Sequence, residues 1–421
     1  MGISGIVWLD HSENAQRYAL NLLESMRFSQ ARDELGLGSV RDAIADVLSP
    51  GTSTIMTAAR YFILIPNLYK EVERRQCASR QLVDQLVRKL EQGILKGLMQ
   101  VAPARGSRVI GAQVYKSGGD TPQRIPSQIY WVGLRKLGIF RQNMGRRAFH
   151  HELGDPELPG EEDAERPPPW WHAGLPVADI SIADERGLAM TPEESRFLKD
   201  RIRDVPGLLG LPTGADSLLA WLIDQPLSTI LAMKSPAAAW IECATSSNPQ
   251  LQAMSERARW LSDIIHGAQL LYNQLIAELI VNLPKRPPDL DWLDGSYFIN
   301  EIQKWIVARS ADQAWRSSKS VSWFWDWKVL SNASIPLHAR SFIKEWVNLV
   351  GNDPTAALGD AARSLISNRE RTLKRGRSRL TSADQLALFK GSAGAGALNF
   401  RWDITRQVAA DIRVGLDSVH A

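Results

Sequence analysis

Between Glu152 and Val177 the chain carries seven carboxylates (Glu152, Asp155, Glu157, Glu161, Glu162, Asp163 and Glu165), followed by R-P-P-P-W-W ending at Trp171. Such a stretch buries too little apolar surface to offset the entropy of ordering it, and consecutive prolines break helices and central strands. It therefore divides a chain of 421 residues, long enough for two or three domains. The expected organisation is a helical, basic N-terminal region over 1–151, an acidic Pro-rich linker over 152–190 and an all-helical C-terminal domain over 191–421. Trp170 and Trp171 stand where they can anchor the linker, and its carboxylates can counter the basic residues before it.

The flanking regions read as helices. Ala15, Tyr18, Ala19, Leu22 and Met26 recur at the three-and-four spacing of one buried face, as do Leu82, Leu86, Leu90, Ile94 and Leu98 in Arg80–Val101. Ser39 stands as N-cap of a short helix Val40–Leu48, which Ser49, Pro50 and Gly51 stop; a more apolar helix follows to Pro66 and resumes through Val72. In the second half, Thr191-Pro192-Glu193-Glu194 is a helix start with a capping box, and Met254–Val281 is the long central helix. The many tryptophans there, among them Trp292, Trp305, Trp323, Trp327 and Trp346, are spaced as wedges between helices.

One segment departs from this pattern. Arg108–Lys116 alternates as a strand does, K-S-G-G-D-T-P turns, and Ser127 caps a helix to Ile139 with Ile129, Val132 and Leu137 towards a core and Tyr130, Arg135 and Lys136 free to face outward. The fold class is thus mainly α and multi-helical, with a small β element in the N-terminal half. Helices, a β element and a basic helix together are the parts of a winged-helix module over 80–151.

Charge sets the expected partner. The formal net charge is only +4, so its distribution matters more than its sum. From Pro103 to His151 there are nine cations, including Arg105, Arg108, Lys116, Arg124, Arg135, Lys136 and Arg141, and one acid, Asp120. A second cluster holds Arg369, Arg371, Lys374, Arg375, Arg377 and Arg379 against Glu370 alone, with the last four as the expected contacts. Both suit phosphate contacts with nucleic acid, duplex DNA foremost; a solvated basic face is the plainer alternative. A third anion-friendly place is the turn between the two early helices, where Thr52, Ser53 and Thr54 meet Arg41 and Arg60. Hydroxyls at a helix N-terminus with arginines nearby hold an anion; alternatively they are caps and the arginines pair with Asp42 and Asp46.

Little in the sequence names a reaction. G-x-x-x-x-G-K-[ST], H-E-x-x-H and G-x-S-x-G are absent. Arg146 and His151 fit the R-x4-H spacing of helical ribonucleases, in which the histidine acts on the 2′-hydroxyl and the arginine steadies the phosphate. His266 with Ser262, Gln269 and Asn273 reads as a buried polar cluster. Asp42 and Asp46 with Asp33 or Glu34 offer carboxylates for Mg²⁺, but Arg41 beside them favours ion pairing, so no metal and no cofactor is expected. Two cysteines make no metal or disulfide pattern. The N-terminus has no secretory pattern and no apolar run reaches the ~18 residues of a membrane span, so a cytoplasmic protein is expected.

W-L-D-x-S at Trp8–Ser12, G-L-G-S-V-R-D-A-I-A-D-V-L-S-P-G-T-S-T at Gly36–Thr54, A-R-Y-F-I-L-I-P at Ala59–Pro66, I-P-S-Q-I-Y-W-V-G-L-R-K-L-G-I at Ile125–Ile139 and L-N-F-R-W near the C-terminus form a set. With these motifs the chain resembles an uncharacterised bacterial family of about this size, a domain of unknown function. The resemblance spans nearly the whole chain. It implies a neighbourhood of phospholipase-D-like proteins and helicases in anti-phage defence regions, hence defence proteins as partners, and it carries no catalytic residues. The expected function is a nucleic-acid-binding accessory protein without chemistry of its own. The rivals are a metal-independent ribonuclease using Arg146 and His151, and a protein–protein adaptor.

Overall fold

The computed structural model describes residues 34–101, 108–119, 122, 124–154, 169–180, 186–207, 210–283, 295–312, 315–316, 318–389 and 392–418. The expected helix Glu13–Phe28, Arg105, Trp292 and the acidic residues before Pro169 except Glu152 lie outside these. Contacts divide the chain into two compact units. The first holds Tyr61–Arg135 and Ile139–Leu188; the second holds Arg32–Arg60, Lys136–Gly138 and Ala189–Ala421.

Among the described residues the protein is helical and contains no strand. The expected β element is not there: Ala112–Lys116 is a short helix entered through Gly111 at φ 89°, where only glycine is unstrained. Among the described residues the sole β feature is an isolated antiparallel bridge between Phe140 and Trp171. With no strand among the described residues no wing is seen, so the winged-helix expectation is not supported. The alternation of Val109, Gly111 and Gln113 was too short to separate a strand from a turn entering a helix.

The first unit is built from helices Tyr61–Arg74, Arg80–Val101, Pro126–Lys136 and Arg146–Leu153. The second of these lies against both the first and the last. Its core is aromatic. Trp131, Phe140, Phe149 and Trp171 meet with centroids 4.7 Å (Trp131–Phe140), 4.9 Å (Phe140–Phe149) and 5.1 Å (Phe140–Trp171) apart. Each such pair adds about 0.5–1.5 kcal/mol beyond area burial. Trp171 is buried and its Nε1 donates to Glu73 Oε1 at 2.6 Å, so the segment after the prolines is docked in this core. Asn67, one residue past the in-helix Pro66, donates to the carbonyls of Ile63 and Pro176 and fixes the same segment a second time. The Pro126–Lys136 helix faces differ from expectation. Tyr130 is fully buried between Tyr61 and Phe62, whereas Val132 is 72% exposed. The aromatic surround, invisible to a periodicity count, decides the face.

The second unit is organised on Pro249–Val281, a 33-residue helix capped by Asn248, whose side chain accepts from the backbone N–H of Gln250 and Leu251. It is long and apolar enough to cross a membrane, but 72% of its apolar window is buried inside the protein, as in a core helix. Around it pack Tyr297–Ala311, Pro236–Ala244, Asp360–Lys374, Gly38–Leu48 and Leu337–Val350. Two tryptophans wedge these contacts and satisfy their N–H groups on the central helix. Trp346 Nε1 donates to the Ile264 carbonyl at 2.7 Å and Trp305 Nε1 to the Asp263 carbonyl at 2.8 Å. Gly267 lets the Trp305 ring approach so closely that a Cβ would stand 2.5 Å from it. The C-terminal helix Trp402–Asp417 packs on Pro192–Arg203, Leu218–Ile223 and Leu227–Ala232.

Candidate nucleic-acid interface

The cations of the first basic segment divide by environment. Lys116 ends the Ala112–Lys116 helix, and Arg124, Arg141 and Arg147 stand in turns or at a helix start; all four are exposed, as is Lys136 at the end of its helix. Arg108 is half-buried. Arg135 is half-buried too: it donates to Asn143 Oδ1, and burial lowers its pKa. The segment therefore offers most of its charge to solvent, from loops and helix ends that an apolar core holds in place.

The second cluster is split more sharply. Glu34 accepts from both Lys374 Nζ and Arg379 Nη1, so those two cations are largely spent inside the second unit. Fully buried Glu370 accepts from Ser378 Oγ, from the N–H of Arg379 at 2.8 Å and of Leu380 at 3.2 Å, and from Tyr272 Oη at 3.0 Å. Arg369 is likewise structural, donating to the carbonyls of Leu35 and Gly36. Arg371, Arg375 and Arg377 remain exposed. Arg371 belongs to the same cluster by sequence but was not among its four expected contacts.

The hydroxyl-and-arginine turn does not form the expected anion seat. Thr52–Arg60 is not helical; the helix begins only at Tyr61, so its N-terminus lies away from the three hydroxyls. Thr52 Oγ1 donates to the Ser49 carbonyl at 2.8 Å, and Ser39 caps nothing, since that helix starts at Gly38 behind Leu37. Ser53 is half-buried and Thr54 is exposed on this non-helical stretch. Arg41 pairs with Asp42, as the plainer reading had it. Asp46 pairs instead with Arg401 Nη1 at 2.6 Å, and the same nitrogen donates to the Thr52 carbonyl at 2.8 Å. Arg401 itself has a left-handed φ of 66° at the start of its helix. Arg60 is buried against Glu194 rather than Asp42 or Asp46. Here the protein's own carboxylates occupy the arginines, and only tertiary structure reveals it.

Histidine chemistry also falls elsewhere than expected. On the Arg146–Leu153 helix, Arg146 and His150 are one turn apart and approach to 3.4 Å, while His151 points out towards Arg80. His150 is fully buried, its Nδ1 2.6 Å from Asp84 Oδ1 and its Nε2 2.7 Å from Tyr69 Oη. A carboxylate only accepts, so Nδ1 carries the proton and Nε2 accepts from Tyr69. Burial, helped by Arg146, pushes the imidazole pKa down to about 4 despite Asp84. The order is the reverse of a catalytic triad, with the acid at the surface and the hydroxyl inside.

Glu91 is a second buried group of the first unit. Its Oε1 accepts from the N–H of Ser127 at 2.7 Å, at the start of the Pro126–Lys136 helix, and burial raises its pKa to about 7. A cavity of about 40 Å³ in the second unit is lined by Glu34, Arg41, Gln269, Tyr272 and Gly394. That is room for a water or two. Among the described residues no three of His, Cys, Asp and Glu converge to hold a metal ion.

Fold and surface together define a mainly helical protein of two compact units that presents arginine and lysine from loops and helix ends. The chain belongs to the family of unknown function DUF6361, which it matches over residues 3–413. No curated protein and no solved structure matches it.

Proposed function

We propose that this is a nucleic-acid-binding accessory protein of the bacterial cytoplasm, with duplex DNA as the favoured ligand, working in a defence or DNA-transaction complex and contributing no chemistry of its own. The observation that carries this reading is the exposure of Lys116, Arg124, Arg141 and Arg147 in a stretch that is almost free of acids. Cations held at fixed points on rigid backbone neutralise phosphates and release counterions, which supplies affinity without sequence preference. The defence setting rests on the family resemblance alone.

The test is duplex binding by the full chain, wild type against Lys116→Glu/Arg124→Glu/Arg141→Glu. The reading expects the triple variant to lose affinity for all sequences alike, because phosphate contacts carry no base information. Unchanged affinity would remove this surface from the account.

A further inference from the structure

The turn that follows the Asp360–Lys374 helix breaks a backbone rule. Arg375 has φ 50° and ψ −127°, the values of the first central residue of a type II′ turn, a place dominated by glycine. The glycine in R-G-R is one position late, at Gly376. A side chain at such a position is strained, and nothing among the described residues compensates through that side chain. Arg375 is exposed and its guanidinium makes no hydrogen bond or ion pair with the described residues. The turn is meanwhile held rigid from below. Buried Glu370 accepts from Ser378 Oγ and from the N–H groups of Arg379 and Leu380, and Glu34 ties down Lys374 and Arg379 on either side.

What this platform displays is three guanidiniums. Arg371 is exposed and touches only the amide oxygen of Asn368; Arg377 is exposed as well. The nearby carboxylates, Glu34 and Glu370, are already used. We propose that the Arg371–Arg377 turn of the second unit is a phosphodiester-backbone contact, and that Arg375 is held in a glycine conformation to present its guanidinium there. The inference rests on the nucleic-acid reading and deepens it, because it moves the contact from Lys374 and Arg379, which serve the fold, to Arg371, Arg375 and Arg377. Guanidiniums on an exposed turn suit successive phosphates of a strand, each taken by a planar bidentate fork.

The experiment compares full-length wild type, Arg375→Gly and Arg375→Ala for thermal stability and for salt-dependent binding of a labelled duplex. Arg375→Gly is expected to raise Tm by releasing the strain while weakening binding. Loss of one phosphate contact removes ~0.9 from the slope of log K against log salt, about eightfold in affinity near 0.1 M salt. Arg375→Ala is expected to weaken binding equally with no gain in Tm. If wild type binds the duplex and both variants match its affinity and slope, the turn is not the contact and this inference fails while the broader reading stands. If wild type binds no duplex, both fail. A Tm for Arg375→Gly below wild type would overturn the claim that the conformation is strained.

Discussion

Arg60 and Glu194 pair inside the second unit with Nε to Oε2 at 3.2 Å and side chains only 2% and 3% exposed. Glu194 does two jobs at once. Its Oε2 also accepts from the N–H of Thr191 at 2.9 Å while Thr191 Oγ1 accepts from the N–H of Glu194 at 3.1 Å, so the counter-ion of Arg60 is the third residue of a capping box. The cap holds the carboxylate in place, which lowers the entropic cost of the buried pair. Removing one member of a buried pair leaves an uncompensated charge and costs ~3–5 kcal/mol, against ~1 kcal/mol for losing a cap. Glu194→Ala is therefore expected to destabilise far more than Thr191→Ala in chemical denaturation, and Arg60→Met to cost less than Glu194→Ala. Equal effects of Thr191→Ala and Glu194→Ala would mean the ion pair contributes nothing beyond the cap.

Two buried groups of the first unit give opposite pH dependences. The Glu91 carboxyl is raised from 4.5 to about 7, so the folded state holds its proton more tightly. Its contribution is fully present below pH 4.5 and is lost as pH rises towards 7. His150 is lowered from 6.5 to about 4, so its contribution is present above pH 6.5 and lost as pH falls towards 4. Each shift is worth about 3 kcal/mol at its extreme, and across their overlap the two slopes oppose one another. Glu91→Gln should lose less stability than wild type between pH 5 and pH 8. His150→Gln should lose less between pH 6.5 and pH 4. Melting curves for the variants that run parallel to wild type across pH would refute both assignments.

Trp171 is expected to be among the most costly substitutions in the first unit. It is buried against Phe140 and Phe149 and hydrogen-bonded to Glu73. Truncation of a buried tryptophan to alanine costs ~3–5 kcal/mol. Trp171→Ala should lower stability accordingly and Trp171→Phe by much less. A Trp171→Ala protein as stable as wild type would show that the segment after the prolines is not docked.

The elements written in local sequence were the legible ones. Arg80–Val101 ran the length its apolar spacing gave, although its first turns bury Val83 and Val87 and leave the expected Leu82 exposed, and the Thr191 capping box formed as its four residues required. What local sequence could not carry was the choice of partner. Nothing near Asp46 names Arg401, and nothing near Arg60 names Glu194, since each pair joins positions more than a hundred residues apart. The same limit explains the basic clusters. Lys374 and Arg379 look identical to Arg375 and Arg377 in a charge count, and only the fold brings Glu34 to the first two. The strand expected at Arg108–Lys116 failed for a different reason, because a run so short around Gly111 fits a turn into a helix equally well.

Exposed cations on both units lead to one measurement above the others: the affinity of the full-length protein for duplex DNA of arbitrary sequence as salt is varied. Each phosphate contact adds ~0.9 to the slope of log K against log salt, so even two contacts give about a tenfold loss between about 50 and 200 mM. The account predicts at least that loss, with similar slopes for unrelated sequences. Absence of binding at the low-salt end, or an affinity that does not move with salt, would contradict it.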